Sequence, residues 1–186
     1  MIKKYTLLAT LALAPIFAQA EHHEPMKDAA HAHETMKGAI AIIVATEGNP
    51  TAGHVLFTQV EGGVRVEGKI SGLTPGKHGF HVHQYGDLRK SDGTSTGGHF
   101  NPTMHDHAGP DSDIRHIGDL GNVIANEAGV AEFDFLDTKL TFEGSSSIIG
   151  RGLIVHAGED DLQSQPTGAA GARVGMAVIG HFNPEL

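Results

Sequence analysis

Alternation of apolar and charged residues in short segments is the feature that most restricts the fold. VRVEGKI (64–70) places its valines and isoleucine on one face and its charged residues on the other. VAEFDFLD (130–137) repeats the pattern, with Ala131, Phe133 and Phe135 pointing inward. Successive side chains of a β-strand point to opposite faces, so this period of two predicts strands with one buried face each.

Four further segments have strand character, namely AIAIIVA, HVLFTQV, IIGRGLIVH and VGMAVIG. The EGNP sequence that ends at Pro50 predicts a turn, and Gly62-Gly63 predicts a two-residue hairpin loop. No segment has the apolar periodicity of a helix over three turns. We therefore expect an all-β domain of about eight antiparallel strands, in a sandwich or a flattened barrel.

The first 20 residues have the organisation of a secretory signal peptide. Two lysines precede an apolar run of about 14 residues, too short to span a bilayer, and an AQA motif ends at Ala20. We expect cleavage near Ala20 and export to the periplasm or the extracellular space. The alternative interpretation is a membrane anchor.

Residues 21–37 predict a flexible, His-rich leader, because they are polar and have no periodicity. Their histidines and methionines could capture copper, and the alternative is a solvated spacer. The domain is expected to occupy 38–186.

Without Lys3 and Lys4 the chain has 11 Lys+Arg (13 less 2) against 22 Asp+Glu, a formal charge near −11. That charge disfavours binding to nucleic acid or to anionic membranes.

Two long stretches, 87–116 and 157–173, interrupt the strand pattern, and such loops are usually functional or disordered. Just before the first, His81 and His83 would share one face of a strand roughly 6 to 7 Å apart, a plausible span for one metal ion. An exposed HxH also arises by chance. More histidines follow in and after this loop, namely His99, His105, His107, His116 and His156.

The residue types suit two metals. Three imidazoles and a carboxylate form a tetrahedral set that zinc accepts, and four imidazoles suit Cu(II). Seven such groups could therefore serve two ions if one ligand were shared.

The chain resembles the copper,zinc superoxide dismutase family. The resemblance runs from about Gly38 to Gly180 through five blocks: GFHVHQYGD, GGHFNPTMHDHAGP, RHIGDLGN, GRGLIVHAGEDDL and GAAGARVGMAVIG. It implies an eight-stranded antiparallel Greek-key barrel with two long functional loops, and an immunoglobulin-like sandwich arrangement. It also implies an antioxidant enzyme that converts superoxide to O₂ and H₂O₂ through alternating Cu(II) and Cu(I), with zinc as the structural metal.

By position, the resemblance implies a copper set and a zinc set that share His99. The implied copper ligands are His81, His83, His99 and His156. The implied zinc ligands are His99, His107, His116 and Asp119. Arg173 corresponds to the arginine that docks superoxide, and Asp160, with Asp161 as the fallback, to the aspartate that orients one histidine of each set. The His99 imidazole would bridge the metals and deliver a proton when copper is reduced.

Other histidines are expected outside the site. His78 is expected to be a buried hydrogen-bonding residue, His54 a surface residue, and His105 a non-ligand on the same loop as His107. The HFNP motif occurs twice, and its second copy at 181–184 is expected to be a coincidence.

The chain departs from the family because it has no cysteine. The family's disulfide would join positions 93 and 176, which are Gly93 and Met176 here, so loop order and the contacts of a possible homodimer come into question.

Two alternative functions stay open. A non-catalytic copper-binding or storage protein could use the same fold, and a zinc-only structural module would be indicated if a copper ligand were missing.

Overall fold

The computed structural model of the chain describes residues 38–183. The expected signal peptide and leader lie outside the described residues, and so do the last three residues. Nine strands make up the described part: β1 (Gly38–Ala45), β2 (Ala52–Val60), β3 (Gly63–Ser71), β4 (Gly76–His83), β5 (Asp119–Ala125), β6 (Ala131–Asp137), β7 (Gly152–His156), β8 (Arg173–Val178) and β9 (Gly180–His181). Within 38–183, helical structure is limited to two 3₁₀ turns, Thr94–Thr96 and Gly144–Ser146.

Eight of these strands close into an antiparallel barrel. Their order is β2-β3-β6-β5-β4-β7-β8-β1, and β1 also pairs with β2, which completes the ring. The chain leaves β3 and crosses to β4 on the far side of β5 and β6, which gives the expected Greek-key connectivity. The all-β prediction and the strand number are confirmed, and the closure decides for a barrel over an open sandwich.

The predicted alternation determines which side chains fill the barrel. Val64, Val66 and Ile70 on β3 are completely buried, while Arg65 and Lys69 face solvent. Phe80 and Val82 on β4 belong to the same apolar core. One local prediction is wrong: Gly63 pairs with Val60 and begins β3, so the hairpin loop is Glu61-Gly62.

The connection between β6 and β7, residues 138–151, was not expected to be a long interruption. It contributes Leu140, Phe142 and Ile148 to the core, so it closes one part of the barrel. The second HFNP motif also has a structural role. His181 pairs with Ala39 in the β1–β9 ladder, and the Phe182 ring occupies the space that a Cβ atom on Gly38 would need.

Within residues 38–183, no helix is long and apolar enough to cross a membrane.

Candidate metal centre

The two histidines of β4 lie on the outer face of the barrel. Because Phe80 and Val82 point into the core, His81 and His83 point the other way. Their ring centroids are 6.5 Å apart, within the range expected from the sequence. They are nevertheless 0% and 1% exposed, since the connecting loops fold over this face.

The loop between β4 and β5, residues 84–118, lies against β4 through backbone hydrogen bonds. Phe100 N donates to Val82 O (2.8 Å) and Val82 N donates to Gly118 O (2.9 Å). His99 and His83 form an isolated antiparallel bridge. A Cβ atom on Gly118 would lie 2.2 Å from Val82 O, so a glycine is required for this close approach. These contacts bring His99 next to β4.

Two groups of ligand-type atoms result, and within each group these atoms all lie within 4.8 Å of one another. We call the first the four-histidine cluster, which consists of His81, His83, His99 and His156. The second, which we call the Asp119 cluster, consists of His99, His107, His116 and Asp119. All seven residues are buried. His99 belongs to both clusters.

In the Asp119 cluster, three imidazole nitrogens surround one carboxylate oxygen. Asp119 Oδ1 lies 2.7 Å from His99 Nδ1 and 3.0 Å from both His107 Nδ1 and His116 Nδ1. The His107 contact is close but does not have hydrogen-bond geometry. The other oxygen, Oδ2, accepts hydrogen bonds from the backbone of Ala108 and His116. Asp119 is thereby held in place by backbone donors while its Oδ1 faces the three rings.

In the four-histidine cluster, one nitrogen of each ring is hydrogen-bonded and the other has no partner. His83 Nδ1 donates to Gly97 O (2.9 Å) and His156 Nδ1 to Gly171 O (3.0 Å). The four nitrogens without a partner among the described residues are His81 Nδ1, His83 Nε2, His99 Nε2 and His156 Nε2. Unpaired buried polar atoms are costly, so four of them in one place indicate that a cation completes the site.

Asp160 connects the two clusters and is completely buried. Its Oδ2 accepts from His81 Nε2 (2.7 Å), and its Oδ1 accepts from His107 Nε2 (2.9 Å). Asn122 holds the aspartate through two backbone hydrogen bonds, one donated by Asp160 N and one accepted by Asp160 O. Asp161, the fallback, is exposed and instead accepts hydrogen bonds from Gln163 and Ser164. The geometry therefore favours Asp160.

Protonation is set by burial and by the two carboxylates. Burial lowers the pKa of His99 to about 4 and that of His156 to about 3, so both imidazoles are neutral at neutral pH. Burial also acts to lower the pKa of His107, but the adjacent carboxylates of Asp119 and Asp160 outweigh it and raise that pKa to about 9. A metal bound at the Asp119 cluster would have to displace the His107 proton.

Arg173 begins β8 and is half-buried beside the four-histidine cluster. Its Nη1 donates to Gly93 O and to Thr96 Oγ1 (3.0 Å), and its Nη2 donates to Gly97 O (2.7 Å). After burial and the other histidines of the cluster, its positive charge is a further cause that lowers the pKa of His83 and His156. The guanidinium is thus held at the edge of the cluster.

A comparison with protein families decides the identity of this arrangement. The family model for copper/zinc superoxide dismutase matches residues 51–179, which contain every residue of both clusters. The chain belongs to the copper/zinc superoxide dismutase family.

Individual relatives agree with this assignment. A copper-zinc superoxide dismutase of Paramecium bursaria Chlorella virus 1 is 47% identical over 150 residues, covering 76% of this chain and 79% of the relative. Superoxide dismutase [Cu-Zn] 2 of Mesembryanthemum crystallinum is 47% identical over 147 residues, covering 75% and 94%. The extracellular copper-zinc superoxide dismutase of Drosophila melanogaster is 44% identical over 145 residues, covering 74% and 80%. Among solved structures, the clock protein EA4 superposes with a TM-score of 0.75 at 42% identity, covering 82% of this chain and 99% of that one.

The copper/zinc superoxide dismutase family uses both metals, and the donor atoms fit both. Four imidazole nitrogens without another partner suit Cu(II), which prefers nitrogen ligands in a tetragonal arrangement. Three imidazoles and one carboxylate suit zinc. His99 can serve both because its Nε2 faces one cluster and its Nδ1 faces the other.

The remaining histidines within 38–183 lie outside both clusters. His78 is 2% exposed, with Nδ1 2.7 Å from His156 O and Nε2 2.8 Å from Thr74 O, a buried hydrogen-bonding role as expected. His105 is exposed and contacts Thr103 Oγ1 (3.1 Å). His54 is exposed on β2.

Sequence reasoning missed the groups that hold the ligands in place. The Gly97 and Gly171 carbonyls orient His83 and His156, but backbone acceptors leave no signal in a side-chain pattern. Gly168 lies so close to Asp160 that a Cβ atom there would overlap Oδ1. Only Asn122, within the GDLGN motif, had a side chain that could have suggested its role.

Proposed function

We propose that this chain dismutes superoxide at a two-metal centre in which His99 bridges the metals. Copper is assigned to His81, His83, His99 and His156, and zinc to His99, His107, His116 and Asp119. The observation that supports this most is that four buried imidazole nitrogens face one another without partners, while the second nitrogen of His99 faces Asp119.

Copper, when bound, supplies the redox chemistry: Cu(II) oxidises one superoxide to O₂, and Cu(I) reduces a second, which leaves as H₂O₂ after taking up two protons. The protein supplies docking and proton transfer. Arg173 donates three hydrogen bonds to protein oxygens, so two of its five guanidinium N–H groups are left to dock a superoxide anion. His99 Nε2 would carry one of the two protons, because it has no other partner among the described residues while Nδ1 faces Asp119.

Asp160 orients one ring from each set, which couples the positions of the two metals. Aspartates that accept the second ring N–H of a ligating histidine determine both its tautomer and its orientation. Here a single carboxylate does this for His81 and His107. Burial keeps His99 and His156 neutral, so their lone pairs are available for metal.

The storage alternative needs copper ligands only. It gives no reason for a guanidinium held by three hydrogen bonds beside the four-histidine cluster. The zinc-only alternative fails for a different reason, because no copper ligand is missing.

The product balance distinguishes catalysis from storage. A dismutase consumes two superoxide ions for each O₂ and each H₂O₂ and repeats this many times per copper. We expect many turnovers per copper ion in pulse radiolysis of the metal-loaded protein, with that ratio of products. Consumption that stops after about one superoxide per copper would contradict the proposal and favour storage.

Export belongs to the same proposal. The sequence of residues 1–20 supports it, and one relative is named an extracellular enzyme. The mature chain then consists of the leader at 21–37 and the enzyme domain at 38–186, in the periplasm or outside the cell. N-terminal sequencing of exported protein should begin at Glu21, and an uncleaved start at Met1 would contradict this.

A homodimer is also part of the proposal. Ile42 and Val44 on β1 and Val178 on β8 are exposed, and β1 and β8 are neighbouring strands. Val178 lies against Gly86, next to the exposed Tyr85, so these residues form one apolar area. Sedimentation equilibrium should give the dimer mass for the wild type and the monomer mass for Ile42→Glu. A monomeric wild type would contradict the proposal.

A further inference from the structure

Thr96 lies where the proposed docking arginine meets a proposed copper ligand. It ends the 3₁₀ turn Thr94–Thr96 and is 0% exposed. Its hydroxyl donates to Gly93 O (3.0 Å) and accepts from Arg173 Nη1 (3.0 Å). His83 Nδ1 lies 3.3 Å from the same oxygen. One buried hydroxyl therefore contacts both functional side chains.

The next residue repeats this arrangement with its backbone. Gly97 O accepts from Arg173 Nη2 (2.7 Å) and from His83 Nδ1 (2.9 Å). The guanidinium and the imidazole thus share two acceptors on adjacent residues. Because both are tied to the same two oxygen atoms, the distance between them depends on Thr96 and Gly97.

A hydroxyl suits this position because it has one proton and two lone pairs. The proton goes to Gly93 O, which leaves the lone pairs for Arg173 and His83. An apolar side chain of the same shape would remove an acceptor from a half-buried guanidinium. Arg173 would then keep only Gly93 O and Gly97 O, so two hydrogen bonds instead of three would restrain its guanidinium.

Covalent restraint of this region is absent, since the chain has no cysteine. Gly93 and Met176 stand at the positions of the family's disulfide. Here the Gly93 carbonyl accepts from Arg173, and Thr96 accepts from the same guanidinium nitrogen. Hydrogen bonds from Arg173 therefore join this loop to β8.

We propose that Thr96 is a positioning residue that holds the Arg173 guanidinium at a set distance from His83 and so determines where the substrate anion docks. The inference rests on the proposed function, because it assumes that Arg173 docks the anion. Thr96 itself contacts neither metal nor substrate.

Azide, a small anion, is the probe for docking in the copper- and zinc-loaded protein, and its dissociation constant is measured by absorption titration. Thr96→Val removes the hydroxyl and keeps the shape, and we expect azide affinity and kcat/KM to fall about three- to tenfold, as for the loss of one ordinary hydrogen bond, because two other acceptors still hold the guanidinium. Thr96→Ser keeps the hydroxyl and should restore both. Thr94→Val is the matched control, since its hydroxyl binds Asp92 on the same turn and is exposed.

A second measurement does not depend on copper. In zinc-loaded, copper-free protein labelled with ¹⁵N-arginine, NMR reports rotation of the Arg173 guanidinium about its Nε–Cζ bond. Rotation should be slow in the wild type and in Thr96→Ser, and faster in Thr96→Val, while zinc content is unchanged. This readout follows the position of the guanidinium directly.

Arg173→Ala separates the two proposals. If it leaves azide affinity unchanged, the docking role of Arg173 is wrong. If Arg173→Ala weakens azide but Thr96→Val matches the wild type in both azide affinity and guanidinium rotation, the positioning role of Thr96 is overturned. Equal effects of Thr96→Val and Thr94→Val would overturn it too, because the turn and not the hydroxyl contact would then be responsible.

Discussion

Asp160 has the most demanding role of any single residue in the centre, because its two oxygens serve two rings. Oδ1 also accepts from Leu162 N (2.7 Å), so an amide oxygen in Asp160→Asn would stay on that side and its NH₂ group would face His81 Nε2. Two donors would then oppose each other. We expect copper affinity to fall about 10- to 100-fold, as for other changes behind a ligating histidine.

Competition with a chelator of known affinity measures this loss. Asp161→Asn is the control, because Asp161 is exposed and contacts neither cluster. Unchanged copper affinity in Asp160→Asn, or an equal loss in Asp161→Asn, would show that orientation of His81 does not depend on the carboxylate.

Arg115 and Asp137 form a buried ion pair, with Arg115 near the end of the loop 84–118. They are 1% and 3% exposed, and Arg115 also donates to the carbonyls of His116 and Ile117. Asp137→Ala would leave the guanidinium buried without its counter-charge, so we expect a loss of about 3 to 5 kcal/mol in the free energy of unfolding. Urea denaturation of the metal-loaded protein measures it.

The exposed pair of Arg65 and Asp134 on the barrel exterior is the matched comparison. Asp134→Ala should change the unfolding free energy little, because water and salt screen such pairs. If both variants lose the same stability, burial of Arg115 is not what makes its pairing important.

Among the elements, the loop between β7 and β8 depends on Gly168. This glycine has φ +66°, and a Cβ atom would overlap Asp160 Oδ1 and approach His107 Nε2. Gly168→Ala should push Asp160 away from His107, so the affinity for zinc should fall along with stability. Gly144→Ala controls for backbone strain, because its φ is +70° and nothing lies within 4 Å.

Zinc affinity in the two variants is compared by competition with a chromophoric chelator. A reduced affinity in Gly168→Ala alone is the expected result. Equal affinities would mean that the Asp160–His107 contact adjusts without cost.

Prediction of the elements from sequence succeeded where a face is buried against the core. β3 alternates cleanly, so Val64 and Val66 were placed correctly. The start of β3 was misjudged by one residue, because two adjacent glycines carry no side-chain pattern and only strand pairing identifies Gly63 as a strand residue. The core role of 138–147 was missed for a related reason, since Leu140 and Phe142 alone are too few to establish a period. The segment IIGRGLIVH was predicted to be a strand from Ile148, but the strand begins only at Gly152.

The ligand sets could be assigned only through long, ordered motifs. Spacing alone left His105 and His107 as alternatives, because both lie on one irregular loop. The structure separates them, since Asp119 Oδ1 lies 3.0 Å from His107 Nδ1, whereas His105 is exposed. Hydrogen bonds to the Thr96 hydroxyl and to the Gly97 and Gly171 carbonyls could not be predicted, because they depend on how loops from distant parts of the chain meet.

For the whole molecule, stability should depend on metal and not on thiol reductant. The chain has no cysteine, and the seven side chains of the two clusters are all buried. Metal that binds only the folded state stabilises it by about 4 kcal/mol when free metal is a thousandfold above its dissociation constant. Removal of metal should therefore lower the melting temperature by many degrees and speed amide exchange in residues 84–118.

Zinc alone should restore most of the lost stability, because His99, His107 and His116 lie in that loop and Asp119 follows it directly. Reductant that leaves the metals bound should change nothing. A metal-free protein that melts close to the loaded one would indicate that Arg173 and the backbone contacts to β4 already hold the loop.

We propose above that copper and zinc share His99 and that the four-histidine cluster holds the catalytic copper. Copper and zinc content, measured on the same sample whose dismutation rate is assayed, tests it most directly in the wild type and in His83→Ala. We expect one copper and one zinc per chain in the wild type. In His83→Ala we expect copper and activity to be lost and zinc to be retained. Equal loss of both metals in His83→Ala, or full activity without copper, would contradict it.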